Sequence, residues 1–183
     1  MKQKNKPFIK KKKNIIVYQP KLHLLSLINR DVHIWGKCIK NKIYKKALNT
    51  LGKKRYSIYL CYSEDDIIIF ILFKISKSYK FTSIYGLYHR ISNKTTSFKL
   101  SKNHKLFSRI FYLDILFDFT NNISSEKEFS ISYGIKLIKK YLPKINKNNR
   151  NYLNIVLKKI LNSRYISEKY KYNIKEKFKS ILV

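Results

Sequence analysis

From residue 35 onward the apolar side chains fall on one stripe. Trp35, Ile39, Ile43 and Ala47 recur at every fourth position, and Gly52 stands where the stripe stops. A helix is predicted there. Tyr56, Ile58 and Leu60 then alternate with Ser57 and Tyr59, the period of a half-buried strand. The run Ile67 to Phe73 is apolar at every position and rich in β-branched residues, which suits a buried strand. Its ends argue for a helix instead. Ser63 and Asp66 form a capping-box-like pair, and Glu64, Asp65 and Asp66 suit the positive end of a helix dipole. Lys74, Lys77 and Lys80 fall near the negative end, so this segment is predicted to be helical.

Phe81 to Gly86 reads as a second strand. Leu87 to Asn93 and Thr95 to Leu100 read as the arms of a long ribbon around Asn93-Lys94. Phe111 to Phe119 is a third strand candidate, and Ser124 to Phe129 the start of a short helix. Ile131 to Leu142 is expected as the last strand, with a helix as the alternative. Asn146 to Arg150 is polar and linker-like. Leu153, Val156, Leu157, Ile160 and Leu161 mark an amphipathic helix, and Ile174, Phe178 and Ile181 suggest another. No internal repeat is visible. Mixed strands and helices of this kind predict an α+β fold.

Charge changes the picture most. The 183 residues carry 41 Lys and Arg against 10 Asp and Glu, a formal charge of +31. Self-repulsion on that scale opposes compaction until a polyanion neutralises it. The 44% hydrophobic share, with 15 Tyr and 11 Phe, is too high for a disordered basic tail. A folded protein with a polyanionic partner is expected. Lys, Asn, Ile, Tyr and Phe dominate while Gly, Pro and Trp are scarce, a bias that points to an AT-rich gene such as one in an organelle genome. Cys38 and Cys61 form no CxxC pair, so free thiols are expected. No apolar run reaches the ~18 to 20 residues of a membrane span, and membrane insertion is not expected. The N-terminus lacks the apolar centre of a secretory signal, and its charge is Lys rather than the Arg and Ser of imported presequences. A product made inside the organelle needs no such address.

Catalytic signatures are sparse. Asp114 and Asp118 would share a face of an alternating strand and could hold Mg²⁺ for an RNA-processing reaction, but a structural role is the simpler reading. His23, His33, His89 and His104 show no metal-ligand spacing with cysteine. Phosphate-binding glycine loops, HExxH and nucleophile elbows are absent. No catalytic residue, metal, cofactor or small-molecule substrate is expected. The basic helix over 152–165 could lie on an anionic membrane, but its charge is no denser than that of the rest of the chain.

The RNA-binding candidates fall in three groups. Lys11, Lys12 and Lys13 lie in a run of four lysines on a basic arm, where each phosphate neutralised releases counterions. Lys53, Lys54 and Arg55 open the central segment. His89, Arg90, Lys94, Lys99, Lys102, His104, Lys105 and Arg109 lie along the ribbon and just beyond it, interleaved with Tyr88, Phe98 and Phe107. Cations of this kind contact phosphate while aromatics stack on exposed bases. The alternative is a solvated charged hairpin.

Over 55–121 the chain resembles the family of the tenth small-subunit ribosomal protein. The residues that carry the resemblance are Tyr56-Ser-Ile-Tyr-Leu60, Cys61-Tyr-Ser-Glu-Asp65 and Lys74 to Lys80 leading to Gly86. Gly86-Leu-Tyr-His-Arg90, Ser97-Phe-Lys-Leu100, Lys102-Asn-His104 and Ser108-Arg-Ile-Phe111 continue it. The ribbon lacks the family's prolines, and Asn103 stands where the family has proline. The resemblance implies a ferredoxin-like βαββαβ core over 55–143 with a long β-ribbon. A basic N-terminal extension (1–54) and a helical C-terminal extension (144–183) would flank it. It also implies a structural, non-enzymatic role in the head of the small subunit, binding ribosomal RNA and neighbouring ribosomal proteins. The AT-rich usage makes the expected location a mitochondrial ribosome. Gly86, Ser97-Phe98 and Arg109-Ile-Phe111 echo a second family too, the barrel-shaped nineteenth large-subunit protein. That family needs strands over 63–80.

Overall fold

The computed structural model of the protein describes residues 16–18, 38–53, 64–80 and 100–182. Six α-helices carry most of that structure: α1 (Asn41–Leu51), α2 (Glu64–Ile75), α3 (Lys102–Phe119), α4 (Ser124–Lys139), α5 (Lys147–Leu161) and α6 (Glu168–Lys177). A 3₁₀ turn over Leu142–Lys144 joins α4 to α5. Among the described residues the strands are β1 (Ile16–Tyr18) and β2 (Ser78–Lys80), paired antiparallel with Ile16 opposite Lys80.

The α+β expectation is therefore overturned. The described residues form a helical assembly in place of a ferredoxin-like βαββαβ core. Phe111 to Phe119, expected as a strand, is the second half of α3, and Ile131 to Leu142 continues α4 into the 3₁₀ turn. The reason lies in how α3 is buried. Phe111, Tyr112, Ile115 and Leu116 face one core with α1 and α2, while Leu106, Ile110, Leu113 and Phe117 face a second core with α4, α5 and α6. A helix clad on two sides shows no polar stripe at a period of 3.6, so its sequence does not announce a helix. The expected strands at 56–60 and 81–86, and the ribbon up to residue 99, lie outside the described residues.

A side-chain cap and a buried cation from α4 set the ends of α3. The Ser101 side chain accepts a hydrogen bond from the His104 backbone N–H, satisfying one orphan donor of the first turn. At the other end the buried Lys127 ammonium donates to the carbonyls of Phe117 (2.6 Å) and Thr120 (3.2 Å). A cation there meets the negative end of the helix dipole as well as unsatisfied carbonyls. Thr120 Oγ1 donates to the Leu116 carbonyl at 2.6 Å and completes the stop.

Gly134 sets how closely α4 lies on α3. A Cβ at that position would sit 2.7 Å from Leu113 Cδ1 and 3.3 Å from Leu116 Cδ1. The C-terminal helices join the same packing. Leu153, Val156, Leu157 and Ile160 of α5, with Ile174, Phe178 and Ile181 in and after α6, are buried in the core shared by α3 and α4. Asn146, expected in a linker, is the N-cap of α5, its Oδ1 accepting from the Asn149 backbone N–H at 2.9 Å. Among the described residues no helix is long and apolar enough to cross a membrane.

Candidate nucleic-acid interface

The acidic residues are few, and the fold uses most of them internally. Asp66 of α2 pairs with Arg109 of α3, and Asp114 and Asp118 of α3 both pair with Lys159 of α5. Burial pushes the Lys159 ammonium down, but hydrogen bonds to Asp114 and Asp118 outweigh it and hold its pKa above the ordinary value. Glu126 is buried and accepts from Asn121 Nδ2, while Glu128 accepts from Ser124 Oγ and the Ser167 backbone N–H. Glu64 and Asp65, half-buried, sit in the first turn of α2, where the dipole favours negative charge. Asp31 lies outside the described residues. Glu168, paired with Lys171, and Glu176 are exposed on α6. The other described carboxylates lie in internal pairs, caps or half-buried positions, and lysine outnumbers them at the described surface.

One such surface is the outer face of α1. Ala47 and Leu51 are buried, and Ile39 and Ile43 pack beside them, all on the predicted stripe. The opposite face then carries Asn41, Lys42, Lys45, Lys46 and Asn49, which line one shallow concavity. Lys40 and Lys53 are exposed at the two ends of the helix. Gly52, at φ +53°, ends it in the backbone region where a glycine is least strained. Residues four apart on a helix are separated by about 6 Å along the axis, so these ammonium groups form a row that a phosphate backbone can follow. No acidic residue occupies the first turn of α1.

The predicted RNA-binding residues divide unevenly. Lys53 is exposed just beyond α1. Lys102 and His104 are exposed on the first turn of α3, and Lys105 is half-buried there. Next to them Phe107, 37% exposed, lies 5.3 Å from Tyr152 between ring centroids. Arg109 is directed inward, its guanidinium on Asp66 and its side chain only 16% exposed. Lys11, Lys12, Lys13, Lys54, Arg55, His89, Arg90, Lys94 and Lys99 lie outside the described residues.

The lysines on the outer face of α1 are not among the predicted RNA-binding residues, of which, among the described residues, only Lys53 lies beside them. Their signal was present as the complement of the apolar stripe, three lysines within five residues facing away from the core.

The pairing of Asp114 and Asp118 bears on the metal alternative. Both carboxylates do share a face, but of a helix at i and i+4, and Lys159 lies between them. A divalent cation at that spot would have to displace an ammonium that already neutralises the pair. Among the described residues no group of three or more His, Cys, Asp and Glu is placed to hold a metal ion. Compared with family models, curated proteins and solved structures, the chain matches none.

Proposed function

We propose that this protein is a structural RNA-binding constituent of a mitochondrial ribosome. It acts by neutralising phosphate and bracing folded RNA, and makes or breaks no covalent bond. One observation carries the reading: a chain of charge +31 places most of its described carboxylates in internal pairs and caps and leaves a row of lysines on the outer face of α1. Such a surface gains affinity from counterion release on any RNA that lies along it. The organellar setting rests on the AT-rich residue usage.

Assignment to the small-subunit head, beside neighbouring ribosomal proteins, rests on the sequence resemblance alone, and the helical course of 102–119 removes its fold-level support. The barrel alternative fares no better, since α2 stands where it needs strands.

Sedimentation of the tagged protein from organelle lysate tests the proposal. Co-migration with a ribosomal subunit after a high-salt wash supports it, and the subunit identifies the placement. A light, free fraction at both salt concentrations contradicts it.

A further inference from the structure

Beyond the C-terminal end of α3 the surface opens into a pocket of about 310 Å³, at the low end of the range for small-ligand sites. It is too small for a helical stem and of the right order for a single nucleotide. The Phe117 ring forms part of the wall, and the half-buried Tyr165 belongs to the loop between α5 and α6. Cations lie against both rings. Lys159 Nζ is 5.5 Å from the Phe117 centroid, and Arg164 Cζ is 4.9 Å from that of Tyr165. Arg164 Nη2 also donates to Tyr165 Oη at 2.8 Å, which holds guanidinium and phenol together at the rim. The polar lining includes the Asp118 carboxylate and the Asn122 amide.

We propose that this pocket receives one unpaired nucleotide of the bound RNA. The proposal rests on the RNA-binding reading above and gives it a point of local recognition. An unpaired base stacks on an aromatic ring or a guanidinium plane, both present here side by side. The exposed Arg164 meets the adjoining phosphate, Lys159 being already paired with Asp114 and Asp118.

The test uses the full chain and two RNA hairpins that differ by one bulged cytosine. The bulged hairpin should bind about tenfold more tightly than the fully paired one. Tyr165→Ala and Arg164→Ala should abolish the preference, so that each variant binds the bulged and paired hairpins alike. Tyr165→Phe, which keeps the ring, should retain the preference and guards against a folding artefact. Equal binding of bulged and paired hairpins by the unaltered protein overturns the pocket alone. Failure to bind either hairpin overturns the RNA-binding reading along with it.

Discussion

Lys159 reaches from α5 to α3, where its Nζ lies 2.7 Å from Asp114 Oδ1 while also pairing with Asp118. The contact ties together two helices whose paired residues are 45 positions apart in the chain. With Asp114 only 13% exposed and Lys159 40% exposed, the pair lies between the buried and surface regimes. Lys159→Met removes the cation and leaves two carboxylates facing each other. The expected loss is about 1–2 kcal/mol, well short of a fully buried pair because solvent screens the lysine. Chemical denaturation checks this, and adding Asp114→Asn to the same chain should recover part of the loss.

Gly134 is where α4 crosses closest to α3. Gly134→Val would drive two methyl groups toward Leu113 and Leu116. A loss of about 1–3 kcal/mol is expected from overpacking. Gly134→Ser, smaller but polar, would bury a hydroxyl at the same contact. The valine variant should show a lower denaturation midpoint with little change in slope.

Tyr112 is fully buried, and its hydroxyl has no hydrogen-bond partner among the described residues. Desolvation raises its pKa well above the ordinary 10.0, with Asp66 and Tyr133 adding to the rise and Arg109 opposing it. Tyr112→Phe removes an unsatisfied group without changing the packed ring, so a gain of about 1 kcal/mol is expected. A loss of stability instead would show that the hydroxyl has a role in the packing.

Above pH 10 the buried and half-buried tyrosines should lower stability. Below it, the half-buried Lys74 and the buried Lys127, whose pKa desolvation lowers, act in the opposite direction. Burial raises the pKa of Tyr152 and Tyr170 as well as Tyr112. Each stays protonated in the folded chain while its unfolded counterpart ionises near the ordinary 10.0, so the unfolded state binds fewer protons above that pH. Stability contributed by these groups is full below pH 10 and falls as pH rises through it. Lys159 has the same sign, its raised folded pKa giving stability that is lost at high pH. Thermal melts of the RNA-free protein in high salt, from pH 8 to 11, should show a falling midpoint above pH 10. Tyr112→Phe should reduce that fall.

How much of this was legible follows from exposure. Ile39, Ile43 and Ala47 with Gly52, and Leu153, Val156, Leu157 and Ile160, belong to helices with one wet face, so their periodicity could be read directly. α2 has no wet face over Ile67 to Phe73, and it was found from the charges at its ends. α3 lacks even that signal, since no acidic residue lies in its first turn and no basic residue in its last. What closes it, Lys127, sits ten residues beyond Phe117 and acts through space. Of the site, cation abundance was evident, but the inward turn of Arg109 was not. Its partner Asp66 is 43 residues away, and only the packing of α2 on α3 brings the two together.

In the proposed function, phosphate neutralisation by an exposed lysine surface drives RNA binding. The most direct test is the salt dependence of RNA affinity for the purified protein and for Lys42→Gln/Lys45→Gln/Lys46→Gln. A steep fall of affinity with salt is expected for the unaltered chain. The triple variant should bind more weakly with a log–log slope shallower by about 2 to 3, each lost phosphate contact contributing ~0.7–0.9. A flat salt profile, or a triple variant with unchanged slope and affinity, would contradict it.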